Sequence, residues 1–116
     1  MTIKEAISNA DNLRPNTLSE ELKAYWLMDL DGQLADQLGL SISDREWPSV
    51  DYELLMQAPY EEIYQLYLIC RIDYYNMETD MYANDSAIYQ ATLDEALSWW
   101  RRHHMPKQTV VGFKVM

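Results

Sequence analysis

Apolar positions recur at helical spacing over most of the chain. Ile3, Ile7, Ala10 and Leu13 follow Thr2-Ile3-Lys4-Glu5. That opening reads as a capping box, in which the Thr2 hydroxyl takes the Glu5 N–H and the Glu5 side chain returns to the Thr2 N–H. Arg14-Pro15-Asn16 closes this first helix, because Pro15 disfavours the α region at Arg14. Thr17-Leu18-Ser19-Glu20 repeats the capping pattern. Leu22, Trp26, Leu30, Leu34 and Leu38 then form an apolar stripe widened by Leu27, with Lys23, Asp29, Gln33 and Asp36 on the wet side. Gly32 within this helix costs about 1 kcal/mol relative to alanine, and Gly39 marks a helix stop.

A second pair of helices follows an irregular stretch. The 39–58 connection mixes Ser41, Ser43, Asp44, Pro48 and Ser49 with Trp47, Val50, Tyr52, Leu54 and Leu55. A structureless connection of that length is unusual in a compact domain. It has room for a short helix near Asp51–Met56, a β-arm or a partner-binding loop. Pro59 suits a first helical position, with Glu61 and Glu62 favouring the N-terminal dipole. From Ile63 to Tyr75 only Gln65, Arg71 and Asp73 interrupt the apolar and aromatic residues. Such a helix is central or is covered by a second subunit. The last helix presents Tyr82, Tyr89, Leu93, Ala96, Leu97 and Trp100 inward, with Asn84-Asp85-Ser86 facing water, and stops at Pro106. Thr109–Val115 has strand-like composition. The pattern predicts an all-α, four-helix compact domain spanning residues 1–116. Its helices run over about 3–13, 18–38, 59–76 and 79–104, with a short extended C-terminal tail over 107–116.

Composition narrows the possible functions. Apolar residues make up 48% and charged residues 24% of the 116, which argues against a disordered chain. The net charge is −10, opposite to that of a duplex-coating protein, so no sequence-specific nucleic-acid binding is expected. Cys70 is the single cysteine, which excludes an internal disulfide framework. No uncharged apolar run of about 18 residues is present, and the N-terminus lacks the apolar run of a signal peptide. A soluble protein of a bacterial cytoplasm or a virion fits these features.

The charge is unevenly placed. Residues 1–58 and 59–98 carry −7 each, whereas residues 99–116 carry +4 through Arg101, Arg102, Lys107 and Lys114. A basic helix end answers its own dipole. Equally, a basic tail can dock on an acidic neighbouring subunit, where complementary charge sets register and association rate. Trp47, beside Pro48, suits an interface and a core alike, so it joins those four as a candidate interaction residue. Spacing assigns Tyr67, Tyr74, Tyr89 and Trp100 to the core.

Chemistry-bearing residues are few. His103 and His104 point about 100° apart on a helix and lack the further convergent ligands that zinc requires. Asp29 and Asp31 also diverge and read as solvated or capping groups. Cys70 lies in an apolar stretch and reads as a buried, inert thiol. No phosphate loop, nucleophile elbow or HExxH is present. Catalytic residues, cofactors and a metal site are not expected.

Several stretches in order resemble a family of small proteins from tailed bacteriophages and prophages of Gram-positive bacteria. They are Thr2-Ile3-Lys4-Glu5-Ala6-Ile7, Leu13-Arg14-Pro15-Asn16-Thr17 and Tyr25-Trp26-Leu27-Met28-Asp29-Leu30-Asp31-Gly32. Ala58-Pro59-Tyr60, Ile72-Asp73-Tyr74-Tyr75-Asn76 and His103-His104-Met105-Pro106-Lys107 follow. The resemblance implies a head–tail connector or neck component, a helical subunit stacking in a ring below the portal. It would meet itself and portal, capsid or neck proteins, and no active-site residue carries over. The rival expectation is an acidic adaptor or regulator that occupies a basic partner surface.

Overall fold

The computed structural model describes residues 1–40 and 53–104, with only the backbone of His104. Most of the irregular connection, residues 41–52, with the arm or partner-binding loop considered for it and the first residues of the helix considered near Asp51–Met56, lies outside those residues, as does the expected tail at 107–116. The fold is all-α, with four helices in the order α1 (Ile3–Leu13), α2 (Glu20–Gln37), α3 (Ile63–Tyr75) and α4 (Thr79–His104). Among the described residues there is no strand, only an isolated antiparallel bridge between Thr2 and Glu53.

Local signals set most helix ends. The α1 capping box forms as predicted: Thr2 Oγ1 accepts the Glu5 N–H at 3.2 Å and Glu5 Oε1 accepts the Thr2 N–H at 2.8 Å. The second box does not form. Asn16 Oδ1 accepts the Leu18 N–H at 3.0 Å, so residues 16–18 make a side-chain-closed turn. The cap moves to Ser19, whose hydroxyl accepts the Leu22 N–H, and α2 starts at Glu20 rather than 18. At the far end Gly39 takes φ +73°. Its N–H donates to Asp36 O, and the Leu40 N–H donates to Ala35 O, a Schellman closure.

The start of α3 also differs from the expectation at 59. Ala58–Pro59 is a cis peptide. Successive four-residue turns, closed by Tyr60 N–H to Gln57 O and by Ile63 N–H to Tyr60 O, occupy the stretch before α3. The α-helical ladder begins when the Leu66 N–H reaches Glu62 O.

The predicted apolar helix, α3, is the central one. Ile63, Tyr64, Leu68, Ile69 and Ile72 are buried in one cluster with Ile3, Ile7, Leu27, Leu30, Leu34, Ala96, Leu97 and Trp100. α1, α2 and α4 all pack on α3, whereas α4 packs on no other helix. The molecule measures 56 × 34 × 19 Å, so its short axis is two helix layers of about 10 Å. Leu13, expected in the α1 stripe, is exposed, and Ala6 is buried instead.

Two α2 residues assigned to water are buried. Lys23 is only 3% exposed; its stem packs inward while Nζ reaches Asp11 Oδ1 at the rim, 2.8 Å away. Asp31, read as solvated or capping, is fully buried. Its carboxylate accepts the Leu55 N–H at 3.1 and 3.2 Å and the Tyr64 O–H at 2.7 Å. The Tyr64 oxygen in turn accepts the Met56 N–H at 2.6 Å. This network gives the backbone of 55–56 the partners that a sheet would otherwise supply, and so lets Leu54 and Met56 enter the core. The 53–56 stretch is therefore not the short helix considered for it.

Tyr64→Phe would leave the Met56 N–H without its Tyr64 acceptor, and take one donor from the buried Asp31 carboxylate. We expect a loss of about 1–3 kcal/mol of stability, read as a lower urea midpoint at unchanged slope.

Candidate interaction surface

The exposed apolar residues gather where α3 turns into α4. Tyr74 (64% exposed), Tyr75, Met77 (85%), Met81 and Tyr82 surround the turn. Spacing had assigned Tyr74 to the core. In the last turn of α3 its ring instead meets Tyr75 edge-on at 5.4 Å and Tyr82 at 6.0 Å. Tyr75 stacks on Trp26 at 5.4 Å, and the Arg71 guanidinium lies 4.6 Å above the Trp26 ring. The rings flank an open groove of about 450 Å³ with Met77, Glu78 and Thr79 at its edge. Such amphipathic rings are enriched at protein interfaces.

The turn itself is held in a conformation unusual for its sequence. Met77 adopts φ +60°, its N–H donates to Tyr74 O, and the Glu78 N–H donates to Asp73 O. This is a second Schellman closure, with methionine where glycine is normal.

Beneath the corner lies an ion cluster. Arg14 Nε donates to Asp73 Oδ1 at 3.1 Å and Arg14 Nη2 to Asp85 Oδ2 at 2.8 Å. Asp85, expected to face water, is therefore drawn inward by a cation on the α1–α2 connection. Asp73 is fully buried, and its Oδ2 makes no hydrogen bond among the described residues. Burial and the adjacent Asp85 carboxyl push Asp73 up to about 6, against the pull of Arg14. Through Arg14, which bonds both carboxylates, the cluster pins the α3–α4 turn to the end of α1.

At the opposite end of α4, Arg101 and Arg102 are exposed. His103 stacks on Trp99 at 4.8 Å, with Nδ1 2.9 Å from the Trp99 carbonyl oxygen. Arg101 and Arg102 are thus both exposed in the last turns of α4, while Trp47, Lys107 and Lys114 lie outside the described residues. Rise along the helix places Tyr82 and His104 about 33 Å apart. From Ile72 to Trp100 there is no basic residue, whereas Glu78 and Asp80 beside the aromatic corner are exposed.

Other chemistry is sparse. No three His, Cys, Asp or Glu side chains among the described residues converge as metal ligands. Burial, then Asp85 and Asp73, pushes the Cys70 thiol up to about 11, so it carries no thiolate at neutral pH. No helix of the described residues is long and apolar enough to cross a membrane. No protein-family model, curated protein or solved structure matches the chain.

Two outcomes follow from this geometry. The folded chain holds the Asp73 proton more tightly than the unfolded chain, whose carboxyl titrates near 3.8. That contribution to stability is complete below about pH 4 and is lost as pH rises through 6. Asp85→Asn should lower the Asp73 titration midpoint, read by carbon-13 NMR, and flatten the fall in melting temperature between pH 5 and 7. Met77→Gly should raise stability by about 0.5–1 kcal/mol, because glycine adopts positive φ without a Cβ penalty; thermal melting gives the sign.

Proposed function

We propose that this chain is a non-enzymatic assembly subunit that associates with copies of itself, and with portal or capsid components, as a phage head–tail connector or neck protein does. The observation that carries this reading is the placement of two unlike surfaces at opposite ends of α4. One is aromatic and acidic, around Tyr74, Met77, Tyr82, Glu78 and Asp80; the other is basic, at Arg101 and Arg102. Unlike faces on one subunit build a heterologous contact, which closes into a ring when the rotation allows it. Charge complementarity between those faces fixes register and speeds encounter. A net charge of −10 also suits a ring through which DNA passes without sticking. The resemblance to small phage proteins supports the virion, or the bacterial cytoplasm during assembly, as the location of such a subunit. An acidic adaptor is the reading left if the chain does not self-associate.

Light scattering across protein concentration and salt tests the proposal. We expect a discrete species of many times 13.7 kDa at low salt, shrinking as added salt screens the charged faces. Replacing Arg101, Arg102 and Lys107 together by glutamate should lower that mass at fixed concentration. A single-chain mass under all conditions, with no capture by portal protein, would reject the connector reading.

A further inference from the structure

We propose that the aromatic corner at the α3–α4 turn is the docking site for residues 105–116 of a second copy of this chain. The inference rests on the self-assembly reading above and names the two surfaces that meet.

Chemistry and reach both select the occupant. The corner offers rings and a methionine with exposed Glu78 and Asp80 beside them; no cation lies between Ile72 and Trp100 in the chain, and the neighbouring Arg14 and Arg71 are engaged by Asp73 and Asp85 and by the Trp26 ring. A complementary ligand carries apolar side chains with interspersed cations and no acid. Residues 105–116 have that composition: Val110, Val111, Phe113 and Val115 alternate with or flank Lys107 and Lys114, and the segment holds no Asp or Glu. Elsewhere the chain is acidic, −7 over residues 1–58 and −7 over 59–98, so no other stretch offers the same combination.

Reach decides between the chain's own corner and a neighbour's. The segment leaves α4 at His104, about 33 Å along the helix from Tyr82. Twelve residues span at most about 40–43 Å. Docking within one chain would use most of the segment to run back along α4, and only its last few residues would arrive. A neighbour placed head to tail presents its corner directly to the segment, so Val110 to Val115 can all lie in the groove. The same placement brings Arg101 and Arg102 towards the neighbour's Glu78 and Asp80.

The test is a mixing experiment with full-length chains. One variant has a defective corner, Met77→Lys with Tyr82→Lys. The other has a defective segment, Lys107→Glu, Phe113→Ser and Lys114→Glu. The expected result is that wild type assembles and each variant alone stays at the mass of one chain. Their equimolar mixture gives a two-chain species that grows no further, because each partner supplies one working half. If wild type assembles but either variant does so equally, or the mixture stays single-chain, the docking site is wrong while self-assembly stands. A wild type that stays single-chain overturns both, including when the segment folds back within its own chain. Circular dichroism checks that each variant keeps its helix. Should the corner variant unfold, a synthetic peptide of residues 105–116 added to wild type replaces it. The peptide should cap the corner and lower the assembled mass at least twofold, and no change at millimolar peptide overturns the proposal.

Discussion

The carboxylate of Asp31 is the constraint from which the rest of this fold follows. It is buried on α2, where it accepts a backbone N–H from Leu55 and the hydroxyl of Tyr64, both from later parts of the chain. Burying a charge without such donors would cost several kcal/mol. The Asp31–Tyr64 bond therefore fixes where α3 sits on α2. The Leu55 and Met56 N–H groups fix how the chain returns to α3 after the long connection. Leu54 and Met56 then fill the core beside Ile3, and the Thr2–Glu53 bridge closes the layer over α1.

Arg14 has a similar role at the other end of α3. Its Nη1 donates to the Leu13 carbonyl at the end of α1, while Nε and Nη2 hold Asp73 on α3 and Asp85 on α4. One guanidinium thus ties three helices at the corner where the exposed rings gather. The rings stay exposed because the turn they surround is fixed from below. A methionine at positive φ persists when its surroundings over-determine it, and such strain concentrates at working surfaces.

What could be read from the sequence is what depends on neighbours a few residues away. The first capping box, the Gly39 stop and the apolar wrap of α3 are local patterns, and they predict the helices near where they lie. The errors fall where long-range partners decide. Asp31 meets Tyr64 across 33 residues, and Arg14 meets Asp85 across 71. Periodicity alone sends such charges to water. Tyr74 fits the helical stripe and is nonetheless outside, because the chain reverses direction three residues later. The candidate surface was half legible: the basic end is visible as a charge asymmetry, while the aromatic corner exists only once α3 and α4 are folded against each other.

The attachment of α4 has a mechanical consequence. This 26-residue helix is braced by α3 alone among the helices. A beam of that length, about 39 Å, acts as a lever pivoting on one seam. A tilt of about 5° at the seam would carry its far end some 3 Å by simple geometry along that length. Such a tilt keeps the distance between the two ends of α4 fixed and changes only the direction in which they point, and it is resisted where Ala96, Leu97 and Trp100 enter the core.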